Sequence, residues 1–111
     1  MRLGISGCFL PENMNDMTPA ICQRVRSLGF SGIFTRFRQN NPHTTTQAEA
    51  QQVRDMLTGE NVRLFQTTGY WQNLVTSDET ARHESVKTVQ AALQLAGWLG
   101  ARGIDTGPGS M

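Results

Sequence analysis

The chain has 111 residues, a hydrophobic fraction of 38% and a formal net charge of +1, which leaves room for one domain or for part of a larger one. Its mixed charge shows no basic patch of the kind that binds nucleic acid or a membrane surface, and no run of about 18 apolar residues predicts a membrane span. We therefore expect a globular protein of the cytoplasm.

The first predicted strand is the apolar run over residues 3–9, whose composition is typical of a strand buried on both faces. Thr18 and Pro19 predict the start of a helix, because threonine caps the first turn and proline needs no N–H there. Gly29 stands where a left-handed terminating residue belongs, so we expect the helix to span residues 19–28. Four apolar residues share one of its faces: Ile21, Cys22, Val25 and Leu28.

Two cysteines, Cys8 and Cys22, fall within these first two elements. Their spacing fits neither a disulfide framework nor a zinc site. We interpret both as reduced, partly buried thiols, since free cysteine is among the most buried residue types.

The second unit begins with a strand over residues 32–37, which are rich in β-branched and aromatic side chains. The polar segment 39–42 ends it. Thr46-x-x-Glu49 is a capping box and predicts the start of a second helix, which Gly59 terminates. The buried stripe of this helix is expected to contain Ala50, Val53, Met56 and Leu57.

The third unit repeats the pattern on a larger scale. Residues 62–68 predict a strand, and Thr76-x-x-Glu79 predicts a capping box ahead of a helix of about 22 residues that ends at Gly100. Residues 102–106 predict a fourth strand. The apolar stripe of the long helix is expected to contain Val86, Val89, Leu93, Ala96 and Leu99.

The resulting order, β-α-β-α-β-α-β, is typical of a parallel α/β fold. Four such strands can form an open sheet with helices on both faces, or one arc of a closed barrel. An open sheet would leave three helices to cover two faces, whereas an arc would leave its inner face and edge strands uncovered.

The succession of these units resembles the xylose isomerase-like TIM barrels. Residues 73–86, the Ala96-x-x-Leu99-Gly100-Ala101 stretch and Pro108-Gly109 are similar to the third βα unit of that superfamily and to the strand and turn after it. The Leu28-Gly29-Phe30-x-Gly32-Ile33 stretch is similar to its approach to the second strand. The resemblance implies that residues 1–111 are the amino-terminal part of a single xylose isomerase-like domain, half of a (β/α)8 TIM barrel truncated after the fourth strand.

Candidate substrate contacts are the residues at the ends of the strands, because TIM barrels carry their active sites at the carboxyl ends of the strands. Tyr70 and Trp71 could form an aromatic wall against a sugar, with plain loop packing as the alternative. Arg36 and Arg38 alternate with Phe37, so the two guanidinium groups would point the same way and could hold a phosphate or carboxylate. A solvated or helix-paired arginine is the alternative.

The superfamily's endonuclease branch carries metal-binding histidines where this chain has Thr67 and Gly107, so the resemblance argues against multi-zinc nuclease chemistry. Many isomerase members have an acidic residue at the position of Phe34. His43 and His83 have no second ligand at helical spacing, and we expect no metal site within this chain alone.

The leading hypothesis is therefore a fragment of a metal-dependent sugar or sugar-phosphate isomerase or epimerase, which acts by proton transfer next to a carbonyl. The resemblance implies a divalent cation of the Mg²⁺ or Mn²⁺ type in the full-length parent, with the metal ligands and the catalytic residues beyond residue 111. The chain alone would then be inactive. The alternative is a non-catalytic half-barrel that self-associates or pairs with another chain through its open edges. The expected partner is a small sugar substrate, with neither nucleic acid nor membrane.

Overall fold

A computed structural model of the chain describes residues 4–6, 10–35, 37, 39–68, 74 and 77–105. The predicted alternation of strands and helices is confirmed, with bounds that differ by a few residues. The elements in chain order are β1 (Gly4–Ser6), a short 3₁₀ helix (Met14–Asp16), α1 (Pro19–Ser27), β2 (Gly32–Thr35), α2 (Gln47–Gly59), β3 (Arg63–Thr68), α3 (Glu79–Trp98) and β4 (Gly103–Asp105).

The four strands form one parallel sheet in the order β1-β2-β3-β4. When consecutive neighbours are joined by crossovers of one hand, all the connecting helices lie on the same face. The core agrees, because Val25 of α1, Val53 of α2 and Leu95 of α3 form one buried cluster with Ile33 and Leu64 of the sheet. This arrangement is that of a barrel arc, and the predicted half-barrel fold is confirmed.

The other face of the sheet carries an aromatic pair over two glycines. A Cβ atom on Gly32 would lie 2.3 Å from Cε2 of Phe65, and one on Gly4 would lie 2.5 Å from Cε2 of Phe34. The two half-buried rings have centroids 5.4 Å apart and planes inclined by 45°. Glycine is thus required at both positions because the rings occupy the space of a side chain. In a closed barrel this face would point inward.

The three helices end in the same way, on a residue with left-handed backbone: Gly29 (φ 92°), Asn61 (φ 60°) and Gly100 (φ 82°). In each case the next residue donates its N–H to a carbonyl five residues back: Phe30 to Val25, Val62 to Leu57, and Ala101 to Ala96. The prediction that α2 ends at Gly59 is confirmed, since Gly59 is its last helical residue, but Asn61 rather than a glycine takes the left-handed position. Asparagine tolerates that conformation better than most residues.

The start of α3 differs from the predicted capping box. Asp78 is the N-cap, and its carboxylate accepts hydrogen bonds from the N–H groups of Thr80 (3.0 Å) and Ala81 (3.1 Å). Glu79 is therefore the first helical residue, whereas a capping box needs its glutamate at the third. The predicted capping box is wrong for this reason, and Thr76 itself lies outside the described residues. The helix has 20 residues, and none of the described helices is long and apolar enough to cross a membrane.

The buried face of α3 agrees only in part with the predicted stripe: Ala96 and Leu99 are buried as predicted. Val86 and Leu93 are 43% and 49% exposed, and Leu28, predicted to be buried on the first helix, is 54% exposed. The buried residues of α3 and its C-cap are three small ones and two leucines: Ser85, Ala92, Ala96, Leu95 and Leu99. The two exposed apolar residues lie two helical turns apart on one flank of α3.

Candidate active site

The four strands end at a common edge of the sheet, where a TIM barrel places its chemistry. Near this edge Thr35 pairs with Thr67, and Thr68 pairs with Asp105. The β2–β3 register shifts by one residue just after Ile33, so the carboxyl end of β3 is displaced relative to its start. The described residues at this edge form the candidate site.

Asn40 ties the loop after β2 to the loop after β1. Its Oδ1 accepts a hydrogen bond from the N–H of Met14 at 2.8 Å, and its Nδ2 donates to Oδ1 of Asn13 at 3.4 Å. The N–H of Gln39 donates to the carbonyl of Glu12 at 3.1 Å. Asn40 is only 8% exposed, so these bonds are shielded from water and hold the two loops together. The sequence offered no signal for this contact beyond an asparagine in a turn.

Phe37 begins the loop after β2 with an unusual backbone. It is fully buried in the core cluster and has a φ of 32°, in the left-handed region that bulky residues avoid. The strand ends at Thr35, two residues before the predicted end. Phe37 therefore lacks the extended backbone that the predicted alternation of Arg36, Phe37 and Arg38 requires. The burial of the ring offsets the backbone strain, which costs about 1–3 kcal/mol at such positions.

Thr67 lies at the carboxyl end of β3 and is fully buried. Its Oγ1 is buried and has no hydrogen-bond partner among the described residues. At this position the nuclease-type resemblance implies a metal-binding histidine. The hydroxyl is shielded from solvent by the described residues.

The histidines lie apart from the sheet edge. His43 Nε2 contacts Oγ1 of Thr88 on α3 at 2.8 Å, and that hydroxyl donates to the carbonyl of Glu84 at 3.1 Å. The hydroxyl therefore accepts from His43, whose proton must be on Nε2. His83 is exposed on α3. Within the described ranges, no three His, Cys, Asp or Glu side chains come together as metal ligands.

Cys22 is a buried free thiol, as predicted; Cys8 lies outside the described residues. The Sγ of Cys22 donates to Sδ of Met56 at 3.7 Å, which joins α1 to α2. Burial raises the pKa of the Cys22 thiol, and the negative charge of Glu60 raises it further. The thiol is protonated at neutral pH, so Cys22 has the character of a structural residue rather than a nucleophile.

The three predicted substrate contacts, Arg36, Tyr70 and Trp71, lie outside the described residues, as does Gly107. They stay predictions. The described residues at this edge are the supporting ones, namely Asn40, Phe37 and Thr67, and sequence reasoning had assigned none of them a supporting role.

No protein-family model and no curated protein matches the chain. Among solved structures, it is similar to a D-psicose 3-epimerase, with 17% identity and a TM-score of 0.72, over 96% of this chain and 37% of that one. It is similar to the 3-keto-D-glucoside 4-epimerase of E. coli, with 18% identity and a TM-score of 0.65, over 94% and 36%. Endonuclease IV from Thermus thermophilus also resembles it, with 18% identity and a TM-score of 0.58, over 99% and 41%.

The chain spans about two fifths of the length of these neighbours. At identities this low, the likeness concerns the fold. The fold itself agrees with this likeness: the strands are ordered as in a barrel, and all three helices pack on one face of the sheet. The chain therefore has the fold of part of a xylose isomerase-like TIM barrel.

Proposed function

We propose that this chain is part of a sugar or sugar-phosphate isomerase or epimerase that transfers a proton at a carbon next to a carbonyl. The observation that carries the proposal is the match of nearly the whole chain, 94% and 96%, to two sugar epimerases. Residues 1–111 would form the amino-terminal part of the barrel domain, and the remaining strands would complete it.

In this proposal the chain contributes substrate contacts rather than the reacting groups. Tyr70 and Trp71 would lie against the apolar face of a sugar ring, and Arg36 would hold a phosphate or carboxylate. The Asn40 bonds to Met14 and Asn13 would hold the loop after β2, which follows Arg36, against the loop after β1. Positioning of this kind lowers the barrier because it removes the entropy of bringing the reactants together.

The described residues do not fit the divalent cation that the resemblance implies. No three potential ligands come together among them, and Thr67 offers only a buried hydroxyl. In the proposal, the metal ligands and the acid/base carboxylates belong to the rest of the barrel.

The test uses the natural protein that contains this chain, incubated with a panel of ketoses and their phosphates in D₂O. Proton transfer next to a carbonyl predicts deuterium incorporation at that carbon, observed by NMR. Trp71→Ala should raise KM, and Arg36→Ala should raise it more for phosphorylated than for unphosphorylated sugars. Gln39→Ala, on the same loop as Arg36, is the matched control. Lack of exchange with every sugar would contradict the proposal, and exchange that survives a chelator would contradict its metal dependence.

A second candidate is a non-catalytic half-barrel that associates with a copy of itself. Among the described residues, β1 pairs only with β2 and β4 only with β3, so both edges of the sheet are open. Val86 and Leu93 are exposed on α3, and the Phe34–Phe65 face is half-buried. Open parallel edges and apolar faces favour association.

Sedimentation velocity of the 111-residue chain distinguishes the two candidates. Self-association predicts a discrete dimer over a wide range of concentrations, with no deuterium exchange into sugars. A stable monomer would contradict it.

A further inference from the structure

A cavity of about 690 Å³ lies at the edge of the sheet opposite to the candidate site. It is lined by the start of β3 and by the ends of all three helices, with Gly29 after α1, Asn61 after α2 and Gly100 after α3. Its volume falls within the range of small-molecule sites, about 300–1,000 Å³.

Three arginines from three different elements line this cavity: Arg26 of α1, Arg54 of α2 and Arg63 of β3. Among the described residues, no aspartate or glutamate lines the cavity. Within the described part of the chain, none of the three guanidinium groups makes a hydrogen bond or an ion pair. The side chain of Arg54 lies across the end of α3, with Nε 3.2 Å from the position that a Cβ on Gly100 would take.

Compensation of the helix dipoles accounts for only part of this cluster. A cation near a helix carboxyl end is stabilising within about one turn of that end. Arg26 lies in the last turn of α1, and the Arg54 side chain lies across the end of α3. The last turns of α2 and α3 contain no basic residue. Arg63 belongs to a strand, and Arg54 lies before the last turn of α2. Arg63 is therefore explained by neither a helix dipole nor an ion pair among the described residues, and dipole compensation does not require that all three cations line one cavity.

The rest of the cavity wall is apolar in part, with Leu57 and Leu99 almost fully buried and Phe30 half-buried. We propose that this cavity binds a phosphate-bearing small molecule, whose phosphate is held by Arg26, Arg54 and Arg63 and whose carbon skeleton lies against these apolar side chains. Arginine suits this role because its planar guanidinium donates two parallel hydrogen bonds to phosphate oxygens and stays charged at all relevant pH values. The site is independent of the proposed isomerase activity.

Isothermal titration calorimetry of the natural protein tests the proposal, with inorganic pyrophosphate and glycerol 3-phosphate as probes and glycerol as the neutral comparison. Both phosphates should bind saturably at one site, and their affinity should fall as ionic strength rises. Glycerol should not bind. Arg54→Gln and Arg63→Gln should each weaken binding about ten-fold or more, as loss of a charged hydrogen bond does. All three arginines are exposed, so the variants should keep the unfolding transition of the wild type.

Lys87→Gln is the matched control, because it removes one exposed positive charge from α3 at a residue that does not line the cavity. It should leave the affinity unchanged. Equal weakening by Lys87→Gln and the arginine variants would overturn the proposal, since it would indicate a diffuse charge effect. Absence of saturable heat with both phosphates would overturn it as well. NMR shifts confined to the amides of Gly29, Asn61 and Gly100 would support it.

Discussion

Thr67 shows how one side chain can be well placed in a fold and still carry an energetic penalty. It is fully buried, and its hydroxyl has no hydrogen-bond partner among the described residues. A buried polar group that leaves its hydrogen bond unmade costs about 1–3 kcal/mol. Thr67 therefore lowers stability while it keeps the β-branched shape that a strand favours.

Replacing Thr67 by valine should stabilise the protein, because the shape is kept and the unsatisfied hydroxyl is removed. We expect the free energy of unfolding, measured by urea titration, to rise by about 1 kcal/mol. Thr88→Val is the comparison, since it removes a hydroxyl that bonds His43 and the carbonyl of Glu84; it should lower stability. Destabilisation by Thr67→Val would show that this hydroxyl has a partner.

Cys22 makes stability depend on pH. Burial and then Glu60 raise its pKa above the ordinary value of 9.0. The unfolded thiol ionises at the lower pH, so this group's contribution to stability is complete below about pH 9 and is lost as the pH rises through the folded-state pKa. Above pH 9, we expect the unfolding free energy of Cys22→Ala to fall less steeply with pH than that of the wild type. Parallel profiles for the two proteins would contradict this.

At the scale of elements, Asn40 joins two loops that belong to different βα units. Its Oδ1 accepts the buried N–H of Met14, a residue 26 positions away in the chain. Asn40→Ala leaves that donor unpaired and should cost about 1–3 kcal/mol in unfolding free energy. Gln39→Ala, an exposed neighbour, should change stability by less than about 0.5 kcal/mol. Similar effects of the two variants would show that the Asn40 bonds do not hold the loops.

The packing between strands predicts opposite effects of alanine at two glycines. Gly32→Ala places a Cβ 2.3 Å from the Phe65 ring and 2.8 Å from the backbone carbonyl of Arg63. Overpacking of this kind costs about 1–3 kcal/mol. A Cβ on Gly97 of α3 would have no other described atom within 4 Å apart from its own helix backbone and chain neighbours, so Gly97→Ala should raise stability by up to about 1 kcal/mol. Thermal unfolding of both variants tests this; a neutral Gly32→Ala would mean that the ring moves aside freely.

At the scale of the whole molecule, the helices bury one face of the sheet, and no described helix packs on the other face. The helices cover Ile33 and Leu64, whereas Phe34 and Phe65 stay half-buried. Val86 and Leu93 add an exposed apolar flank on α3. If the chain self-associates, these are the surfaces with the most apolar area to bury.

Lysine substitutions can locate such an interface. In the self-association model, Val86→Lys combined with Leu93→Lys should shift the sedimentation profile towards monomer, because two charges would have to be desolvated at the contact. Leu28→Lys, at a similarly exposed apolar residue directly after α1, should leave the profile unchanged. Equal dissociation by the control would place the contact elsewhere.

The sequence by itself determined the order of the elements and where most helices begin or end. Thr18 and Thr46 cap their helices as predicted, and Gly29 and Gly100 take the left-handed positions. These signals are local, since a cap satisfies backbone groups within three or four residues. The order β-α-β-α-β-α-β then restricted the fold to a parallel sheet.

Only the tertiary structure decided which face of α3 is buried, and that all three helices lie on one side of the sheet. It also decided the supports of the candidate site. The Asn40–Met14 bond, the left-handed Phe37 and the placement of Arg54 over Gly100 depend on residues from different elements. Such contacts leave no periodic trace in the chain, because their energies come from burial and geometry that exist only after the elements have packed.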